Sequence, residues 1–150
     1  MASGQPSRAI AIGFALSSAG PTATPDDPVG VPNGSRVYRR IPPVWWIPDD
    51  DGGKRLTSAA FQDKDGYLSI GVGQVLDELG LAVDDILIGF EGYGLAGLEV
   101  AWIRNLHLGV TREPTEDEPW HGAIWGSKTG SVKRKMSEEA SVLIEPSTPA

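Results

Sequence analysis

The stretch that decides the fold is residues 38–61, which read Y-R-R-I-P-P-V-W-W-I-P-D-D-D-G-G-K-R-L-T-S-A-A-F. Its beginning predicts a strand over residues 36–41 that ends at Pro42-Pro43, because proline has no N–H to donate to a sheet and restricts the residue before it. Residues 44–47 are predicted to form a second short strand, and residues 49–53 a turn, since Asp and Gly favour turn conformations. Short strands between prolines and turns are typical of an antiparallel sheet.

The rest of the chain continues this pattern of short elements. Further strands are predicted over residues 67–72, 86–90, 98–110 and 121–125. One helix is predicted over residues 74–81, and another begins at Ser131 as N-cap and ends before Pro146. The apolar positions of this last helix are about one turn apart, at Val132, Met136, Ala140 and Leu143. The predicted fold class is therefore α+β: a single small domain with a mostly antiparallel sheet of short strands and about two helices.

The compact domain is predicted to span residues 36–146, after a flexible N-terminal extension at 1–35 and before a short tail at 147–150. Residues 17–35 contain four prolines and three glycines but almost no apolar bulk, which is the composition of a linker. Within the extension, Arg8 and the apolar run after it give residues 9–19 a weak likeness to a secretory signal. We expect a cytoplasmic protein, with export and cleavage of this segment as the alternative.

Composition and charge narrow the classes of function. The 150 residues carry a formal net charge of −7, which argues against general nucleic-acid binding, because proteins that bind phosphate backbones present a basic face. The chain has no cysteine, so disulfides, thiolate catalysis and cysteine-ligated metals are excluded. No apolar run reaches the ~20 residues that a membrane-spanning helix needs. Neither nucleic acid nor a membrane is an expected partner.

No known cofactor or catalytic motif is complete in this sequence. The Asp63-x-Asp65-Gly66 sequence lacks oxygen-bearing residues at the first and last positions of a calcium loop, so it indicates an ordinary turn. The glycines between residues 89 and 97 match neither phosphate-binding consensus and indicate a bend. Neither His107 nor His121 has a catalytic or metal-ligating partner at a recognisable spacing. We therefore predict no cofactor and no metal, and we expect a binding protein rather than an enzyme.

The candidate binding residues are cationic, aromatic and hydroxyl side chains. They are Arg39, Arg40, Trp45, Trp46, Ser58, His121, Lys128 and Ser131. Paired arginines suit a phosphate or carboxylate group, because a guanidinium donates two parallel hydrogen bonds to it. Consecutive strand residues point to opposite faces, so one arginine is expected to face the cleft and the other to pair with an aspartate of residues 49–51. The start of the last helix is an alternative anion site.

Three sequence patterns resemble a group of short bacterial proteins that have no established activity. They are R-x-I-P-P at residues 39–43, L-T-S-A-A-F at residues 56–61 and H-G-A-I-W-G at residues 121–126, followed by a basic terminal helix. The resemblance covers residues 37–146, nearly the whole predicted domain. It implies a bacterial origin and one compact domain, and it assigns no catalytic residue.

Two functions are compatible with these observations. The first is a small bacterial accessory or binding protein that acts through a protein partner, of the kind encoded in conflict or stress operons. It is favoured by the lack of a complete catalytic set. The second is an enzyme or sensor that binds a small phosphate- or carboxylate-bearing ligand through arginine and histidine. A single cleft surrounded by Arg39, Arg40, Ser58 and His121 would favour the second function.

Overall fold

The structure is a computed structural model and describes residues 31–62 and 66–147. Its strands are β1 (Arg36–Ile41), β2 (Trp46–Pro48), β3 (Lys54–Leu56), β4 (Tyr67–Val72), β5 (Gly94–Glu99), β6 (Gly109–Arg112), β7 (His121–Trp125) and β8 (Ser141–Ile144). Its α-helices are α1 (Gly73–Glu78), α2 (Val100–Arg104) and α3 (Gly130–Glu139), and its short 3-10 segments are Pro43–Trp45, Ser58–Phe61 and Val83–Leu87. The α+β prediction is confirmed, with three α-helices in the described part of the chain instead of about two.

Six strands form one antiparallel sheet in the order β6-β7-β4-β1-β5-β8, and β2 and β3 form a separate two-stranded ladder. Strands β1, β4 and β7 cover the residues that the sequence predicts, because turn-forming residues stand on both sides of each strand. β4 and β1 occupy the centre of the sheet, with β7 beside β4. These three strands carry the candidate site.

Alternating side chains give the sheet two different faces. Val37 and Ile41 of β1 lie on the same face as Arg39, whose side chain bonds to the Ser58–Phe61 segment, and this segment packs against helix α3. Val37, Ile41, Phe61 and Met136 are each at most 1 % exposed. Burial of side chains of this size stabilises a fold by about 1.5–3 kcal/mol each, so this layer holds the domain together. The alternate residues of β1 point to the opposite face.

Two of the predicted strands are wrong. Residues 86–90 begin inside the Val83–Leu87 segment and continue as turns, with Ile88 78 % exposed. Residues 98–110 contain the end of β5, the whole of helix α2 and the start of β6. Val100 and Ile103 are both fully buried and three residues apart, which is helical spacing, and the partial alternation around them concealed it.

The last helix is shorter than the sequence predicts. Helix α3 ends at Glu139, because Ala140 has extended backbone angles of φ −61° and ψ 136°. The chain then forms edge strand β8, which pairs with β5, so Leu143 lies on a strand and is 49 % exposed. Within β5, a side chain at Gly94 would overlap the carbonyl of Ile144, so glycine is needed for β8 to approach.

The start of α3 also differs from the prediction. Thr129 is the N-cap rather than Ser131, since its Oγ1 accepts a hydrogen bond of 3.2 Å from the Val132 N–H. Met136 is fully buried as predicted, and Val132 packs against the core while partly buried.

The ordered domain begins before Arg36. Val31 is 2 % exposed and belongs to the hydrophobic core. The Asn33 carbonyl accepts from the Ala101 N–H at 3.2 Å, and its side chain accepts from Arg104 Nη1 at 2.6 Å. The last residues of the predicted extension therefore contact the domain. Residues 1–30, which include most of the segment predicted to be flexible and the signal-like segment, lie outside the described residues, as do Asp63 to Asp65 of the predicted Asp-Gly turn. No described helix is long and apolar enough to cross a membrane.

Candidate functional site

The candidate site is a cavity at the place where the two central strands separate. β1 and β4 are paired only at Val37 with Val72 and at Tyr38 with Gly71, although both strands continue beyond these pairs. A cavity of about 40 Å³ lies in this gap. It is lined by Tyr38, Arg39, Arg40, Ser69, Ile70, Gly71, Ile86, Trp120 and His121.

Arg39 connects the two sides of the gap. Its Nε donates to the Ala60 carbonyl at 3.1 Å, and its Nη1 donates to the Ser69 carbonyl at 2.9 Å. Both acceptors are neutral, and Arg39 forms no ion pair with a carboxylate of residues 31–62 or 66–147. Burial, with a smaller effect of the neighbouring Arg40 cation, lowers the pKa of Arg39 from its usual value to about 10. The guanidinium stays protonated at neutral pH, but its charge is poorly compensated.

Arg40 has a complete set of partners on the opposite face of the sheet. Its Nε donates to the Ile86 carbonyl at 2.8 Å, and its Nη2 forms an ion pair with Glu118 Oε2 at 2.7 Å. The guanidinium carbon lies 3.9 Å from the centre of the Phe90 ring and 4.9 Å from that of the Trp120 ring. Because Glu118 pairs with its charge and the Phe90 and Trp120 rings lie against its guanidinium, Arg40 forms a wall of the cavity whose charge is already compensated.

Ser69 and His121 form a hydrogen-bonded pair at the rim of the cavity. His121 Nε2 lies 2.7 Å from Ser69 Oγ, and Nδ1 lies 2.8 Å from the Glu113 carbonyl oxygen. A carbonyl can only accept, so in the neutral ring Nδ1 carries the proton and Nε2 accepts from the Ser69 hydroxyl. The two residues are diagonal neighbours on β4 and β7, because Gly71 is paired with His121. Ser69 is exposed and His121 is partly buried.

Tyr67 extends the same polar surface along β4. Its hydroxyl lies 3.4 Å from His121 Nε2, and its ring meets the Trp125 ring edge-on at 4.8 Å between centres. Burial raises the pKa of the Tyr67 hydroxyl, against the opposing effect of its hydrogen bond with Ser69. Tyr67 therefore keeps its proton at neutral pH and is able to donate a hydrogen bond beside the Ser69–His121 pair.

The cavity brings together three of the predicted site residues: Arg39, Arg40 and His121. The sequence predicts that only one of the two arginines faces the cleft. Both line it. The predicted ion pair with residues 49–51 is also wrong, since the carboxylate that binds Arg40 belongs to Glu118.

Five predicted residues do not line the cavity: Trp45, Trp46, Ser58, Lys128 and Ser131. The two tryptophans are partly buried against the hydrophobic core. Ser58 is exposed and stands two residues before the carbonyl that Arg39 binds. The Lys128 ammonium donates to the Gly66 and Gly126 carbonyls at 3.3 and 2.9 Å, so it is directed at this turn of the backbone, while Ser131 is exposed.

Sequence reasoning missed Ser69, Tyr67 and Glu118. The residues around Ser69 and Tyr67 were correctly predicted as a strand, and His121 as the start of another. Nothing local indicates that these two strands are neighbours, because 52 residues separate Ser69 from His121. The acidic residues 116–118 indicate a negatively charged segment, but nothing in the sequence indicates that Glu118 lies next to Arg40.

A wider depression of about 320 Å³ lies beside the cavity and shares Tyr38 with it. Its lining includes Arg36, Gln74 and Asp77. Arg36 already lies 3.9 Å from Glu99, and the other two side chains are a neutral amide and a carboxylate, so the lining does not favour one kind of ligand. In the described ranges no three His, Asp or Glu side chains are grouped so that they could hold a metal ion.

The fold and the site define a small α+β protein with a split in the centre of an antiparallel sheet. Comparison with protein families, curated proteins and solved structures found no match to this chain.

Proposed function

We propose that the protein binds a small ligand carrying a carboxylate or phosphate group, with the anionic group seated in the cavity against Arg39. The observation that carries this proposal is Arg39 itself: a partly buried cation whose hydrogen-bond acceptors are two neutral carbonyls. Removing a cation from water is costly, and neutral acceptors offset this cost only in part. An oxyanion beside Arg39 would supply the missing countercharge.

The surroundings of Arg39 favour an oxyanion over other ligands. The Ser69 hydroxyl and the His121 ring lie on the rim of the same cavity. Tyr67 adds a further hydroxyl next to them. Arg40 is neutralised by Glu118, so the positive charge that remains available is that of Arg39.

The size of the cavity limits what enters it. A volume of about 40 Å³ corresponds to roughly three or four water molecules, since one water needs ~10–15 Å³ on this measure. A carboxylate or phosphate group fits this space, but a complete nucleotide or cofactor does not. The rest of the ligand would lie outside the cavity, over the exposed side of Ser69.

Binding is tested by titrating the protein with inorganic phosphate and with acetate while the backbone amide signals of the cavity residues Arg40, Ser69 and His121 are followed by NMR. We expect a saturable shift in the wild-type protein and a ~10-fold weaker affinity in Arg39→Lys, because lysine keeps the charge but loses the planar donor pair. Arg36→Lys on the same strand is the matched control and should bind like the wild type. Equal binding by Arg39→Lys and the wild type, or no saturable shift in either, would contradict the proposal.

A second candidate function, action through a protein partner, is favoured by the edge strand β8. This strand is at the border of the sheet, and Val142 and Leu143 are 36 % and 49 % exposed. An edge strand has free N–H and C=O groups, to which an extended segment of another protein can add as a further strand. The resemblance to short bacterial proteins makes a bacterial host extract the natural source of such a partner.

Capture of the partner from such an extract tests this second function. The double variant Val142→Lys/Leu143→Lys should lose a partner that the wild type retains, since charges on an edge strand oppose strand addition. Val44→Lys is the control, because Val44 is 74 % exposed and lies in the Pro43–Trp45 segment, which is not a strand of the sheet. A partner that both variants retain would not bind at β8.

A further inference from the structure

We propose that Ser69 is a nucleophile activated by His121, and that the protein hydrolyses small esters that carry a carboxylate or phosphate group. This inference rests on the proposed function for the position of the anionic group, which Arg39 would hold. The Ser69–His121 pair itself is independent of that assignment. The substrate class is an ester whose acyl carbon lies over Ser69 while its anionic group occupies the cavity.

The hydrogen bonds of His121 prepare it to accept a proton. The Glu113 carbonyl, 2.8 Å from Nδ1, holds the proton on that nitrogen and fixes the ring orientation. Nε2 is then a free base 2.7 Å from Ser69 Oγ, within the range at which a general base removes a proton. In serine hydrolases a third group orients the histidine in the same way. Here a backbone carbonyl takes that role.

The position of Ser69 allows attack on a substrate. Ser69 is exposed although its histidine partner is partly buried, so the hydroxyl is accessible from solvent. Tyr67, 3.4 Å from the same histidine nitrogen, remains protonated and is placed to donate a hydrogen bond to negative charge that develops next to Ser69. The Arg39 guanidinium lies in the gap between β1 and β4, where it donates to the Ser69 carbonyl, and it adds positive charge next to Ser69.

The reaction proceeds in two balanced steps. In the first, Ser69 Oγ forms a bond to the acyl carbon, and its proton moves to His121 Nε2. The bond between that carbon and the leaving alkoxide breaks, and the alkoxide takes the proton from His121. In the second, water attacks the acyl-Ser69 ester, gives one proton to His121 Nε2 and releases the carboxylic acid, while the same proton returns to Ser69 Oγ. No oxidant, reductant or metal is required.

A purely structural hydrogen bond between two strands would have the same distances, so the test measures reactivity. The protein is incubated with a fluorophosphonate, which labels activated serines, and with p-nitrophenyl acetate, whose hydrolysis is followed by absorbance. We expect peptide mass spectrometry to find the fluorophosphonate attached to Ser69 in the wild-type protein and to find no label in Ser69→Ala. His121→Gln should slow both reactions by ~100-fold or more, because glutamine cannot act as a base.

Matched controls separate reactivity from stability. Ser58→Ala removes an exposed serine away from His121, and His107→Asn alters the other histidine at its φ of 63°, which asparagine tolerates. Both variants should react like the wild type. Melting temperatures of all variants are measured together, so that an unfolded variant is recognised; Ser69→Cys provides a second substitution that keeps a nucleophile.

The outcomes distinguish this inference from the proposed function. Labelling at Ser69 that depends on His121 supports the nucleophile whether or not phosphate binds. Phosphate binding to Ser69→Ala, together with an unlabelled wild-type protein, would overturn the nucleophile and leave the anion site standing. Labelling of any other residue, or equal labelling of wild type and His121→Gln, would also overturn it.

Discussion

Arg39 and Arg40 are neighbours in the sequence but have different partners in the fold. Alternation along β1 directs Arg39 to the carbonyl of Ala60 on one face and Arg40 to the carbonyl of Ile86 on the other. Only Arg40 has a carboxylate, that of Glu118. Because Glu118 compensates its charge, Arg40 has the partners of a structural residue. The charge of Arg39 lacks a carboxylate partner, and a bound anion would compensate it.

The stability contribution of Arg40 is tested with Arg40→Gln. This change breaks the ion pair with Glu118 and both ring contacts, and it leaves the Glu118 carboxylate without its partner. We expect the free energy of unfolding to fall by about 2 kcal/mol in urea denaturation, a magnitude typical of partly buried hydrogen bonds to charged groups. Arg36→Gln should cost below ~0.5 kcal/mol, because the Arg36–Glu99 distance is 3.9 Å and both side chains are solvent-accessible. Equal losses in both variants would contradict this assignment.

The protonation of Tyr67 is a second prediction at this scale. Its pKa is raised in the folded protein, so above pH ~10 the folded state binds its proton more tightly than the unfolded state. The contribution of Tyr67 to stability is therefore complete below that pH and is lost as the pH rises further. The difference in tyrosinate absorbance between wild type and Tyr67→Phe should have its midpoint above 10. A midpoint at or below 10 would show that burial does not control this hydroxyl.

At the scale of elements, strand pairing places the site residues. β7 packs closely between β4 and β6 at Gly122, where an added Cβ would lie 2.7 Å from the Thr111 carbonyl oxygen. His121 precedes this glycine, so the same close packing holds the histidine against β4. The approach of three strands thus determines the distance between His121 and Ser69.

Gly122→Ala tests this close packing. A methyl group at this position forces β6 and β7 apart, and we expect a loss of about 1–3 kcal/mol in the free energy of unfolding, as for overpacked sites generally. Any labelling of Ser69 should fall as well, since His121 moves with the strand. Gly130→Ala is the control: nothing lies within 4 Å of its added Cβ, and Gly130 is the first residue of helix α3, so the free energy of unfolding should stay the same or rise slightly. A neutral Gly122→Ala would mean that the strands adjust freely.

The sequence predicts elements well where turn residues delimit them. Strands β1, β4 and β7 coincide with predictions because prolines, glycines and Asp-Gly turns surround them. Residues 98–110 were predicted as one strand, but the structure places helix α2 in their middle. A short apolar run is compatible with both the helical period of about 3.6 residues and the strand period of 2 residues. Only the burial of Val100 and Ile103 in the core selects the helix.

At the scale of the whole molecule, the domain depends on residues that precede its first strand. Val31 is buried in the core, and Asn33 bonds to helix α2 through both its backbone and its side chain. The composition of residues 17–35 gives no sign of this, because its two valines stand among prolines and glycines and show no helical or strand periodicity. The burial of Val31 is a property of the complete fold.

Paired deletions test where the domain begins. A chain that lacks residues 1–35 should be less stable by about 2–4 kcal/mol than a chain that lacks residues 1–30, since it also loses the Val31 side chain and the Asn33 hydrogen bonds. Thermal and urea unfolding of the two chains measure the difference. Val31→Ala in the full chain should reproduce part of the loss. Equal stability of the two deleted chains would place the start of the domain after Ser35.

The sequence by itself determined the α+β class, the strands β1, β4 and β7, and three of the residues that line the cavity, Arg39, Arg40 and His121. These follow from local signals: proline and glycine boundaries, alternation, and the chemistry of each side chain. Only the tertiary structure decided that β1 and β4 separate, that Glu118 neutralises Arg40 and that Ser69 lies beside His121. Strand neighbours are selected by the packing of the whole sheet, and periodicity along one strand contains no information about which other strand will lie next to it.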